Sequence, residues 1–371
     1  MPNKVMDLRF FKQKSFFIPV TAWLAFCSLY LVLFSLNDQY PSLQRMLTQW
    51  DGQHYLSIAS GGYEMFPCSG MTANICGNVG WFPLYPIVAG IISATGIDVR
   101  FAILLVSWLT LLIALILFHR IVVRRAGVTV GVWSLVALLA TPAGFYFLTA
   151  FPYSLLLLLV TLAFDMMDRG AFRFLWIPVG LASITYPSGI VLTLPVLALL
   201  VSNWMSLSQR GKMHLVTALG APILSVTLYC LYYWWKFGDF FLYVKFQGQS
   251  YYAHELAFPV VTIYRSLSTL SFSEPVAISL LFTLGASLIF FSRRLPLTWH
   301  LWLWGILLFT PTMGTTDCYY RHVIIAFPLA PLIGLAAERG KRRFLAWGTI
   351  ALGIALMWTV FLKTYMSGQL M

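Results

Sequence analysis

Apolar runs of bilayer length, parted by short basic loops, constrain this chain more than any other feature. They begin near residue 16 and recur to residue 362. A helix needs about 20 apolar residues to cross a hydrocarbon core of about 30 Å. Only 10% of the residues are charged and 60% are hydrophobic, whereas soluble domains carry roughly 25% charged residues. The expected class is an all-α polytopic membrane protein, with residues 1–371 as a single integral membrane domain. The first run, 16–36, is too long for a signal-peptide core and no small-residue cleavage site follows it. It reads as a retained anchor.

The candidate spans are 16–36, 101–119, 128–147, 153–167, 215–235, 275–291, 297–311, 323–337 and 344–362, with 174–203 as a special case. At 1.5 Å per residue, 174–203 is too long for one crossing. Pro187 and Gly189 near its middle break it into two short ones. Residues 82–96 are apolar but short. If they crossed, Arg124-Arg125, Arg293-Arg294 and Arg342-Arg343 would all lie outside. Cytoplasmic loops carry the excess of Lys and Arg. Taking 82–96 as an external interfacial helix puts most of the 24 Lys and Arg inside. The result is about eleven transmembrane helices, N-terminus cytoplasmic and C-terminus outside. The net charge of +12 then serves orientation and contact with anionic lipid. It calls for no nucleic acid.

Two mixed stretches, 37–100 and 236–274, face outward in this topology and hold most of the acids and histidines. No Gly-rich phosphate cradle occurs. An enzyme built this way takes its substrates from the membrane and the outer face. Cys68 and Cys76 lie close together in the first loop and are a disulfide candidate in an oxidising compartment, two free thiols being the alternative. Cys27 and Cys230 read as small core residues. There is no metal-ligand spacing, so no metal site is expected; a divalent cation has no sequence support. The absence of an Asn-x-Ser/Thr sequon favours a prokaryotic source.

The most unusual stretch is Trp50-Asp51-Gly52-Gln53-His54-Tyr55. Asp51 precedes a helix-like run, 53–60, that closes at Gly61-Gly62. Asp is a preferred N-cap and Gly a preferred stop, so the bland reading makes Asp51 a helix cap. Asp51, His54, Tyr55 and Ile58 share one helical face. Such a carboxylate is held in place and suits a positioned base. His54 either packs at the interface or donates to a phosphate. Glu64 is either a solvated loop acid or a substrate contact. Trp50, Tyr55, Tyr63, Trp81, Phe82 and Tyr85 make an interfacial aromatic belt or a sugar platform.

Trp50-Asp51-x-x-His54-Tyr55-x-x-Ile58-Ala59-x-x-Gly62-Tyr63, followed by Trp81-Phe82-Pro83-Leu84-Tyr85-Pro86, resembles the first luminal loop of GPI mannosyltransferase II, the PIG-V type, and of bacterial proteins similar to it. Three later pieces resemble the family more loosely: Phe151-Pro152-Tyr153-Ser154, Thr185-Tyr186-Pro187-Ser188-Gly189, and Tyr320-Arg321-His322 with Phe327-Pro328-Leu329. Tyr186 stands where the family has Arg, and the Phe151 turn lacks the acid that often follows it.

The resemblance implies a GT-C membrane glycosyltransferase. Such an enzyme moves a hexose, mannose first, from a polyprenyl-phosphate carrier to an acceptor hydroxyl on the extracytoplasmic face, with inversion and without a required cofactor. It implies the catalytic role for Asp51. Arg321, His322, Arg265, Lys245 and His54 are the candidates for the donor phosphate, Arg321 foremost. Trp50, Tyr55, Tyr63, Glu64, Trp81, Tyr85 and Tyr186 are candidates for substrate contact. The expected setting is a bacterial inner membrane, with a membrane-associated or extracytoplasmic acceptor. A transporter or flippase of lipid-linked sugars is the alternative, but it would put ionisable residues at mid-membrane depth. Here only Asp165 lies within a span, near its inner end.

Overall fold

A computed structural model describes residues 8–36, 42–68, 71–250, 252, 254–268, 274–338 and 342–368. Each of the eleven expected spans contains helix. Among the described residues, four helices are long and apolar enough to cross a bilayer unaided: Phe16–Ser35, Val99–Ala126, Gln209–Phe237 and Arg343–Met366. A fifth arises if Tyr319–Ile325 and Leu329–Glu338, bent by 67°, form one broken span. Large apolar side chains such as Leu24, Leu29, Ile113, Ile223, Leu228 and Leu352 point outward from these helices. Apolar surface on that scale requires lipid around it.

Val99–Ala126 is the central element. Asp98 caps it, accepting from the N–H groups of Arg100 and Phe101, and Gly127 ends it with φ 91°. Leu8–Ser35, Leu84–Ser93, Val128–Leu139 and Tyr153–Asp168 pack around it. At its C-terminal end Arg124 pairs with Asp165 at 2.5 Å, Arg169 pairs with the same carboxylate, and Arg125 pairs with Asp168. Arg342 Nη1 donates to Ile289 O at 2.7 Å, so the loops near 290 and 342 also share one end of the bundle.

One candidate span differs from expectation and another breaks where its sequence predicts. The run 128–147 is helical only to Leu139. Thr141-Pro142 then turns the chain into a 3-10 helix, Gly144–Leu148, because Pro142 cannot continue the α-helical hydrogen bonding. The run 174–203 is interrupted near its expected break: Trp176–Ser183 is α-helix, Pro187–Leu192 is 3-10, and Thr193–Ser202 is α-helix again. The two halves meet so closely that a Cβ on Gly189 would lie 1.9 Å from Ala182 O.

The first mixed loop is well ordered where described; residues 37–41, 69 and 70 lie outside the described set. It holds helix Leu43–Leu47, helix Asp51–Gly61, an antiparallel hairpin Met65–Cys68 with Met71–Gly77, and helix Leu84–Ser93. A Cys68–Cys76 disulfide closes the hairpin. The second loop supplies helices Leu242–Gln247 and Pro259–Ser268.

Candidate active site

Asp51 is the first residue of its helix, and Trp50 occupies the cap position without a side-chain bond. This sets aside the bland reading of Asp51 as the helix cap: Trp50 takes that position. Gly62 closes the helix with φ 77°. The carboxylate instead meets Arg321 Nη2 at 2.7 Å. The Asp51 side chain is 29% exposed and that of Arg321 only 12%. Arg321 Nε is buried without a hydrogen-bond partner, and the guanidinium lies 5.3 Å over the Phe151 ring.

The backbone on both sides of this pair is unusual. Among the described residues the non-glycine positions with positive φ are Trp50, at 65°, and Cys318, at 56°. One immediately precedes Asp51; the other opens the short helix Tyr319–His322 that carries Arg321. Such conformations cost about 1–3 kcal/mol each and persist where surrounding structure enforces them, often at functional sites. Enforcement is visible here. Ala150 N–H donates to Leu47 O at 2.8 Å, and a Cβ on Gly52 would lie 3.3 Å from Ala150 Cβ. The Asp51 turn therefore sits directly on the 149–151 segment.

The other motif segments join at the same place. Tyr186 Oη lies 3.2 Å from His322 Nδ1 and 3.1 Å from its Nε2, and Tyr153 Oη donates to Tyr186 Oη at 3.3 Å. A hydroxyl bonded to His322 thus fills the position where the resembling family has Arg. His54 stacks on Trp81 with ring centroids 3.6 Å apart and planes within 14°. Burial in this stack pushes the imidazole below its usual pKa, while the carboxylates of Asp51 and Glu64 oppose the shift.

The other candidates lie as follows. Tyr63 Oη donates to Trp81 O at 2.6 Å, where Tyr229 Oη also donates at 3.2 Å. Tyr85 is fully buried, its hydroxyl donating to Ile103 O at 2.9 Å. Tyr55 is buried with its ring edge-on to Tyr85. Trp50 is half-buried and packs on the core. Glu64 is exposed at the hairpin base, and its N–H donates to Asn78 Oδ1 at 2.8 Å. Lys245 pairs locally with Asp239 at 2.6 Å. Arg265 is exposed on helix Pro259–Ser268. Neither cation pairs with Asp51.

Reading the sequence missed other contributors. Asn78 is buried and ties the hairpin to the Asp51 helix through Ser57 Oγ at 2.9 Å and Gly62 O at 3.1 Å. Gln249 bonds both the N–H and the C=O of Ile75, and Gln247 donates to Gly80 O at 3.0 Å. The second loop therefore braces the first. It also docks on the connection to Arg321, with Glu255 N–H donating to Met313 O and Ala257 N–H to Thr312 O. His254 stands in this strip; burial lowers its pKa and Asp317 opposes. Phe151 and Tyr153 lay in a quoted motif, which is the signal that marks them. Among the described residues no three His, Cys, Asp or Glu side chains gather in a way that would hold a metal ion.

The architecture is that of a polytopic, predominantly helical membrane protein. Solved structures with a similar fold include the following. The chain is similar to ArnT from Cupriavidus metallidurans bound to undecaprenyl phosphate, with TM-score 0.58 and 17% identity over 92% of this chain. It is also similar to the same protein in the apo state, with TM-score 0.53 and 16% identity over 93% of this chain. In both cases it covers 64% of the ArnT chain, so it spans less than two thirds of that protein's length. No family model matches the sequence, and no curated protein matches it either.

Proposed function

We propose that the protein is an inverting glycosyltransferase. It moves a hexose from a polyprenyl-phosphate carrier to an acceptor hydroxyl at the extracytoplasmic face of a bacterial inner membrane. The observation that carries this reading is the convergence of four separate segments, at 50–55, 151–153, 186 and 320–322, on the Asp51–Arg321 pair. These are the segments that resemble GPI mannosyltransferase II. ArnT, whose fold is similar, is bound to undecaprenyl phosphate in its crystal structure, which favours a polyprenyl-phosphate donor here. Mannose is the hexose that the first-loop resemblance implies.

In the reaction, Asp51 takes the proton of the acceptor hydroxyl as that oxygen attacks the anomeric carbon. The bond from that carbon to the phosphate oxygen breaks, and its electron pair leaves with the polyprenyl phosphate. The departing anion needs a fixed cation. Arg321 suits the role, because its guanidinium is a fixed cation with more N–H donors than the one paired with Asp51. Tyr186 and His322 are in contact with each other beside Arg321. Membranes containing the protein, given a panel of radiolabelled polyprenyl-phosphate sugars, should form one labelled product that mass analysis identifies as a hexosylated acceptor. Movement of the lipid-linked sugar across the bilayer without covalent transfer would point to the flippase alternative.

A further inference from the structure

The groups that hold the Asp51 turn come from the last helical stretch of the described chain. That stretch runs as α-helix Arg343–Leu356, a π-helical segment Met357–Leu362, and a short helix Lys363–Met366. Tyr365 lies on the last of these and is 1% exposed. Its hydroxyl donates to Met46 O at 2.8 Å, and Gln49 Nε2 donates to Tyr365 O at 2.9 Å. The two bonds run in opposite directions and bracket residues 46–49. The bracketed turn leads straight into Trp50, whose φ of 65° is one of the strained points of the site.

The Tyr365 ring cannot swing away. Phe34, Phe145 and Tyr146 enclose it at centroid distances of 5.9, 5.0 and 5.4 Å. The same stretch reaches the other half of the ion pair. Phe361, within the π-helical segment, packs on Tyr320 at 5.6 Å, and Tyr320 is the residue before Arg321. π-Helical turns are rare and concentrate at functional sites, where the wider turn shifts the side chains that follow.

We infer that Tyr365 and Gln49 are positioning residues: their reciprocal bonds fix the turn that aims the Asp51 carboxylate, so the C-terminal helix sets the geometry of the site. The inference rests on the reading of Asp51 as base, but its structural half is tested separately. Tyr365→Phe removes one hydroxyl and keeps the ring. Gln49→Met keeps the length and removes the donor. Each full-length variant should lower kcat for sugar transfer about tenfold, because displacement of a reacting group by a fraction of an ångström is costly. The donor KM should stay unchanged, since Arg321 is untouched. The double variant should lose less than the product of the single losses, as residues that hold one turn through a shared network do.

Amide hydrogen exchange supplies a readout that needs no activity. In Tyr365→Phe, exchange over residues 46–51 should accelerate while exchange over Leu84–Ser93 stays as in the wild type. Unchanged exchange over 46–51, or wild-type kcat in both variants, overturns the inference. A wild-type protein that transfers no sugar, with exchange responding as expected, counts against the glycosyltransfer reading and in favour of the clamp.

Discussion

Arg321 and Asp51 form an ion pair at 2.7 Å that joins the first mixed loop to a short helix near the C-terminal end. A residue held at positive φ stands directly before Asp51, at Trp50, and another three residues before Arg321, at Cys318. The pair brings a carboxylate and a guanidinium together at one site, the two groups that the proposed transfer calls on. The carboxylate is the more exposed of the two.

Arg321→Lys should separate charge from geometry. Lysine keeps the cation but lacks the planar fork that matches two phosphate oxygens. The donor KM should rise about tenfold, equivalent to about 1.4 kcal/mol. Arg321→Met, which leaves the Asp51 carboxylate without its partner, should reduce transfer by a further factor of ten or more. Steady-state kinetics on varied polyprenyl-phosphate sugar measures both.

Gly189→Ala should lower thermal stability and remove activity together. The new methyl group would meet Ala182 O at 1.9 Å, and backbone on both sides must shift. Overpacking of this kind costs about 1–3 kcal/mol. The shift would also carry Tyr186 away from His322. Gly220→Ala, where nothing lies within 4 Å, is the matched control and should be neutral. Thermal unfolding in detergent reads the difference.

The His54–Trp81 stack should make stability depend on pH. The folded-state pKa of His54 is depressed below the ordinary 6.5, by burial above all. The unfolded chain therefore binds the proton first as pH falls. The contribution of neutral His54 is fully present above pH 6.5 and declines as pH drops from there toward the folded-state pKa. His54→Gln should flatten this limb of a plot of melting temperature against pH. An unchanged slope in the variant would show that the stack does not titrate.

The membrane class was legible from the apolar runs alone, and the break in residues 174–203 from Pro187 and Gly189. The shortened helix Val128–Leu139 was not, although Pro142 stood in the run, because apolarity continued through the turn and masked it. The site was legible in pieces. Asp51, Phe151, Tyr186 and Arg321 each lay in a motif, yet local pattern cannot say that segments so far apart in the chain meet. The same limit hid Asn78, Gln249 and Tyr365, whose roles are single hydrogen bonds between distant backbones. The helix-start residue was misassigned because Asp is a favoured cap by type, and the positive φ of Trp50 comes from tertiary contacts.

The most direct test compares wild type and Asp51→Asn at matched expression, by transfer of radiolabelled mannose from polyprenyl phosphate in isolated membranes. Asparagine keeps the size of the side chain and cannot take the acceptor proton. The account predicts product from the wild type, loss of about a thousandfold or more in the variant, and equal melting temperatures to within a few degrees. Full transfer by Asp51→Asn would contradict it.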